Sequence, residues 1–179
     1  PRGIVCTGGE DATQVFCEAF MLSWDPGRQS LTQTPLPAFP QPSTAGGAAF
    51  VGSHVYVVAG QEGPGLETAT DRLWRLDIAN LGSTELAWEP LPAVPGGPRA
   101  FPLVAAQHDG FTDCLYVIGG RRQQLGTEGI AGVEPLADCR EFSPARFAAD
   151  PAQGWRRRAD PPRPLMAGAA VAVGQSHLF

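Results

Sequence analysis

A chain of 179 residues in which 43% are hydrophobic and 17% charged has the length and the apolar content to bury a core. Its formal charge of -5 provides no basic footprint for nucleic acid, and no apolar run of about 18 residues is present to span a membrane as a helix. With 22 Gly and 18 Pro the chain favours turns over long helices, which points to β structure.

The first element is the strand IVCTGG, Ile4 to Gly9, which ends in a small-residue pair. AFMLSWD (19–25) and LTQTPLP (31–37) follow as two further strands. GGAAFV from Gly46 is a strand of small residues, suited to a crowded position, and VYVVAG from Val55 repeats the apolar strand with its small-residue ending. After the loop QEGPGLETATD come RLWRLDI and WEPLP. The pattern then recurs as FPLVAAQ from Phe101, LYVIGG from Leu115, CREFSP from Cys139 and WRRRADPP from Trp155. GAAVAV from Gly168 and SHLF, ending at Phe179, begin another copy.

Tyr56 and Tyr116 each precede a small-residue pair by the same spacing, with Val5 and Phe179 in the matching slots. Four short strands per unit and a period near 50 residues are the mark of kelch-type β-propeller blades. The expected fold is therefore all-β: one incomplete propeller domain with about three to four blades. Residues 1–44 make a partial first blade, 45–99 a second, 100–166 a third and 167–179 the start of a fourth. At about 50 residues per blade, a six-bladed ring needs roughly 300 residues. The chain reads as an excerpt, with the remaining blades supplied by a longer chain or a second copy.

Within that frame Gly8, Gly9, Gly60, Gly119 and Gly120 read as turn glycines. Trp24, Trp74, Trp88 and Trp155 read as wedges between blades, and the run Arg156 to Arg158 as protection of an outer edge. His54 and His177 read as repeated fixtures where second strands begin, and His108 as a turn residue. The four cysteines, Cys6, Cys17, Cys114 and Cys139, lack Cys-x-x-Cys spacing and read as buried free thiols with no metal. Nothing at the start has the charged, apolar, small-residue order of a secretory signal.

The segments GIVCTGGED, PLPAFPQPSTAGGAAFVGSHVYVVAGQ, PGGPRAF, DCLYVIGGRR and GWRRRADPPRPLMAGAAVAVGQSHLF together resemble the cyclically permuted mutarotases, relatives of the bacterial N-acetylneuraminate epimerases. The resemblance implies a six-bladed kelch propeller that exchanges the anomers of sialic acid in a periplasmic or extracellular setting. It implies no metal and no cofactor, because a base and an acid suffice to open and reclose the ring. It also implies that QEGPGLETATD matches a family loop carrying a catalytic Glu and Arg. Glu62 takes the place of that Glu, whereas Glu67 stands where the family has the Arg. Cations near the same face, Arg99, Arg121, Arg122 and Arg163, are the candidates for binding the sugar carboxylate. Loop charges are commonly solvated surface, which is the alternative for Glu10, Asp11, Glu67, Arg122 and Glu128. The alternative function is a non-catalytic kelch module that binds a protein or a glycan.

Overall fold

The computed structural model describes residues 3–126 and 129–179; Glu128 lies outside the described residues. Among the described residues the chain is all-β apart from one short α-helix and three single-turn 3-10 helices, and it runs through successive antiparallel sheets in a β-propeller-like order. β1 (Ile4–Thr7), β2 (Ala19–Asp25) and β3 (Ser30–Pro35) form the first sheet. β4 (Gly47–Val51), β5 (His54–Val58), β6 (Leu73–Asp77) and β7 (Glu89–Leu91) form the second in simple meander order.

The third sheet contains β8 (Leu103–His108) and β9 (Asp113–Ile118). The hairpin of β10 (Arg121–Gly126) and β11 (Gly129–Pro135) then intervenes as a separate two-stranded sheet. β12 (Cys139–Phe142) pairs beside β9, and β13 (Trp155–Arg158) completes the four strands after the short helix α1 (Pro144–Ala149). Ser143 accepts a hydrogen bond from the Arg146 N–H and Pro144 fills the first helical turn, which is why a helix starts there. β14 (Ala172–Val173) and β15 (His177–Leu178) make a small hairpin beside β8.

β5 shows why a second strand must be apolar throughout. Tyr56 and Val58 pack in a core cluster with Leu115, Val117 and Phe142 of the third sheet. Val55 and Val57 join the opposite cluster with Ala19, Leu36, Phe39 and Trp88. A strand buried on both faces loses the usual alternation of polar and apolar residues. The tryptophans do wedge the sheets: the Trp88 indole N–H donates to the Pro37 carbonyl and that of Trp155 to the Pro92 carbonyl. Trp24 departs from the expected wedge, being 58% exposed on β2.

Backbone links repeat between neighbouring sheets. Gly9, Gly60 and Gly120 each donate their N–H to a carbonyl in the segment leading into the next sheet, those of Ser43, Arg99 and Leu165, at 2.7–2.9 Å. Gly60 and Gly120 adopt φ values of 96° and 99°, and a Cβ on Gly60 would lie 2.5 Å from the Thr44 carbonyl oxygen, so a side chain is refused there. Ala45, Phe101 and Ala167 hold equivalent left-handed positions, with φ of 54°, 57° and 53°. The Phe101 N–H bonds to the Ala45 carbonyl and the Ala167 N–H to the Phe101 carbonyl.

Candidate functional site

Because the glycine turns are tied to the segments before the inner strands, both kinds of loop lie on one face. Arg99, Arg121 and Arg122 all belong to it, and Ala100 and Arg121 exchange two backbone hydrogen bonds of 2.8 Å. The structure gives the three guanidinium groups different tasks.

Arg99 was expected to meet a ligand, and the fold instead buries it completely. Its two terminal nitrogens donate to Asp138 Oδ1 and Oδ2 at 2.7 and 3.1 Å, and also to the carbonyls of Gly119 and Pro95. Burial alone would raise the Asp138 carboxyl, but hydrogen bonds from Arg99 and Arg140 outweigh it and hold that group below the usual range. A fully desolvated charge has to be paired, so Arg99 serves as a tie across the third sheet and has no face left for substrate.

Arg122 makes a fork with Glu134, Nε to Oε2 at 2.7 Å and Nη2 to Oε1 at 3.2 Å, and gives Nη1 to the Gly96 carbonyl. The pair borders a cavity of about 570 Å³ whose other walls include Glu67, Pro98, Gln123 and Gln124. This cavity lies between the β10–β11 hairpin and the loop that follows β5. It has the volume of a small-molecule site.

Arg121 is the third case. Its guanidinium carbon lies 4.5 Å from the centre of the Phe101 ring, within cation–π range. Its Nε is buried without a hydrogen-bond partner, and among the described residues no carboxylate forms an ion pair with it. Phe101, two residues before β8, has a left-handed backbone with φ of 57°.

Glu62 does not share the Arg121 position. It is ion-paired with Arg72, in a crevice lined also by Gln61, Thr70 and Trp74, with room for little more than a water molecule, about 10 Å³. Arg163 is exposed in the segment leading to the last hairpin. Of the loop charges read as surface, Asp11 caps its own turn by accepting from the Thr13 and Gln14 N–H groups.

Sequence reasoning missed a second polar centre, inside the third sheet. Glu141 is fully buried and accepts from the Tyr116 hydroxyl at 2.8 Å, from Arg146 of α1 and from Arg158 of β13. Asp109 accepts from Arg146 Nη1 at 2.9 Å and lies 3.7 Å from Arg158. Arg158, the last member of the arginine run, therefore reaches inward and does not only protect an edge. Burial pushes the Cys114 thiol up to about 12, with the Glu141 charge adding to the effect. Ligand atoms of Asp109, Cys114 and Glu141 lie within 4.8 Å of one another. Two guanidinium groups already neutralise both carboxylates and the thiol holds its proton, so the chemistry of this set suits an ion-pair core better than a metal.

No family model and no curated protein matches the sequence. In structure, 124 solved chains match. The solved structure of YjhT superposes with a TM-score of 0.60 at 18% identity, over 84% of this chain and 41% of that one. The likeness is one of fold, and this chain spans about two fifths of that structure's length.

Proposed function

We propose that this chain is part of a six-bladed kelch-type propeller, related to the cyclically permuted mutarotases, that interconverts the anomers of an acidic sugar, N-acetylneuraminate or a close relative. The observation that carries this reading is Arg121: a half-buried guanidinium on the loop face, stacked on Phe101, with no carboxylate paired to it among the described residues. A sugar carboxylate supplies the missing anion, and the planar fork can engage both of its oxygens. The cavity that Arg122 borders, which Arg121 itself does not line, offers the Gln123 and Gln124 amides and the Arg122–Glu134 fork, groups that suit hydroxyl recognition. Anomer exchange then needs a base for the anomeric hydroxyl and an acid for the ring oxygen, after which the ring opens, turns about its C2 bond and recloses. The acid or base that the family resemblance implies is Glu62, which sits apart from Arg121 in its own crevice with Arg72. The fold likeness to YjhT supports the scaffold alone.

The test uses two variants. Arg121→Ala is expected to weaken acidic-sugar binding by about tenfold to a hundredfold, the worth of a charge-assisted hydrogen-bonded pair, while a neutral sugar binds as before. Glu62→Gln is expected to slow anomer exchange, followed by saturation-transfer NMR, with binding retained. Parent rates and affinities in both variants sink the proposal. A non-catalytic kelch module for a protein or glycan is the second reading, and one observation favours it: the Glu62 carboxyl is already engaged by Arg72.

A further inference from the structure

Two places on the loop face share one backbone arrangement and differ in their side chains. Thr44 and Gln61 exchange two backbone hydrogen bonds, of 2.9 and 2.8 Å, at the entry to the second sheet, as Ala100 and Arg121 do at the entry to the third. The next residue of each entry segment, Ala45 or Phe101, is left-handed. Ala45 and Phe101 are therefore equivalent, and so are Gln61 and Arg121. Ala167 takes the same conformation one repeat on. Beside Ala45, the Gln61 side chain is buried and its amide donates to the Gly63 carbonyl at 3.4 Å. Beside Arg121 the entry residue is an aromatic, whose ring centre lies 4.5 Å from the guanidinium carbon.

Phe is strained in that slot. A φ of 57° crowds Cβ against its own backbone, and a bulky side chain is an outlier there. The backbone is fixed on both sides, because the Phe101 N–H donates to the Ala45 carbonyl and the Phe101 carbonyl accepts from the Ala167 N–H. Strained residues held in this way cluster at ligand sites. The stack gives a reason for a ring. Asp138 and Glu134 hold Arg99 and Arg122 by neutralising them. A ring face attracts a cation through its quadrupole, occupies none of its N–H donors and leaves its charge available to an anion.

We propose that Phe101 is a positioning residue for anion capture: its ring fixes the Arg121 guanidinium on the loop face before the ligand arrives. The role rests on the acidic-sugar reading of Arg121. A long side chain ordered in advance loses less freedom on binding, so the ring raises affinity for the sugar carboxylate by acting through Arg121.

The test measures binding of N-acetylneuraminate and of its uncharged methyl ester to the complete propeller by calorimetry. Phe101→Leu keeps an apolar side chain without a ring face. It is expected to weaken the acid about twofold to thirtyfold, with the ester bound as by the parent. Phe101→Ala, which installs the residue of the two equivalent positions, is expected to match it, and Phe101→Tyr to bind as the parent does. In an Arg121→Ala background Phe101→Leu is expected to have no further effect, whereas a merely structural role makes the two losses add. Parent affinity in both Phe101→Leu and Phe101→Ala, equal loss of acid and ester, or additive losses, beside a weakened Arg121→Ala, overturns the role of Phe101 and leaves the acidic-sugar reading standing. Parent affinity in Arg121→Ala overturns both.

Discussion

The second and third sheets use the same register with the charges reversed. Opposite Tyr56 in the second sheet stands Arg75, which reaches Glu89 on the next strand; opposite Tyr116 in the third stands Glu141, which meets Arg158 and Arg146. What differs is the cover. The Glu89 side chain is 59% exposed, whereas that of Glu141 is 0% exposed because α1 lays Arg146 over it. One repeated scaffold thus carries a solvent-facing ion pair in one sheet and an ionic core in the next, and the two should differ sharply in what their loss costs.

The largest effect is expected from Glu141→Ala. It removes the buried carboxylate that Tyr116, Arg146 and Arg158 share, leaving the largely buried Arg146 with Asp109 alone, and should cost about 3–5 kcal/mol, read by urea unfolding. A loss below about 1 kcal/mol would place the two sheets on equal footing and break the comparison. Arg99→Ala should fall in the same class, since Asp138 is left with Arg140 alone and the Gly119 and Pro95 carbonyls lose their donor.

Acid provides the next contrast. Burial pulls the Glu141 carboxyl upward, yet Arg158, Tyr116 and Arg146 hold it below its ordinary value; Asp109 is likewise lowered, the Thr112 and Phe111 N–H groups and Arg146 overcoming its burial. Folded-state values below unfolded ones mean that both contributions are complete above the unfolded range, about 4, and drain away as pH falls through the folded values. Glu141→Ala should flatten this acid limb of the stability curve.

Thiol chemistry sharpens the contrast further. Burial raises Cys114 to about 12 and Cys139 to about 11, so both should resist a thiol reagent in the folded protein while the half-buried Cys6 and Cys17 react first. Titration of the unfolded chain should count four thiols with or without reductant. The smallest effect is expected from Arg75→Ala, within about 1 kcal/mol, as for exposed pairs generally.

The comparison also explains what could be read in the sequence. The strands were legible because Tyr, small-residue pairs and Ala-rich inner strands recur with regular spacing, each a local requirement of the repeat. The hairpin β10–β11 was not, since RRQQLG reads as a polar loop without the partner strand that pairs it. The helix left a signal, Ser143 and Pro144, that the strand pattern obscured. Arg99 and Asp138 are 39 residues apart, and nothing local says that one buries against the other. Glu141 is alike: in CREFSP it looks like one more strand charge, and only the arrival of Arg146 and Arg158 makes it a core residue.

The left-handed residues that lead into the inner strands have one more consequence. The amide proton of Phe101 is donated to Ala45 and that of Ala167 to Phe101, so each belongs to one sheet and is sheltered by its neighbour. Fraying of a strand end cannot release these protons; parting of adjacent sheets does. Their hydrogen–deuterium exchange rates therefore measure how firmly one repeat is clasped to the next, separately from how well either repeat is folded.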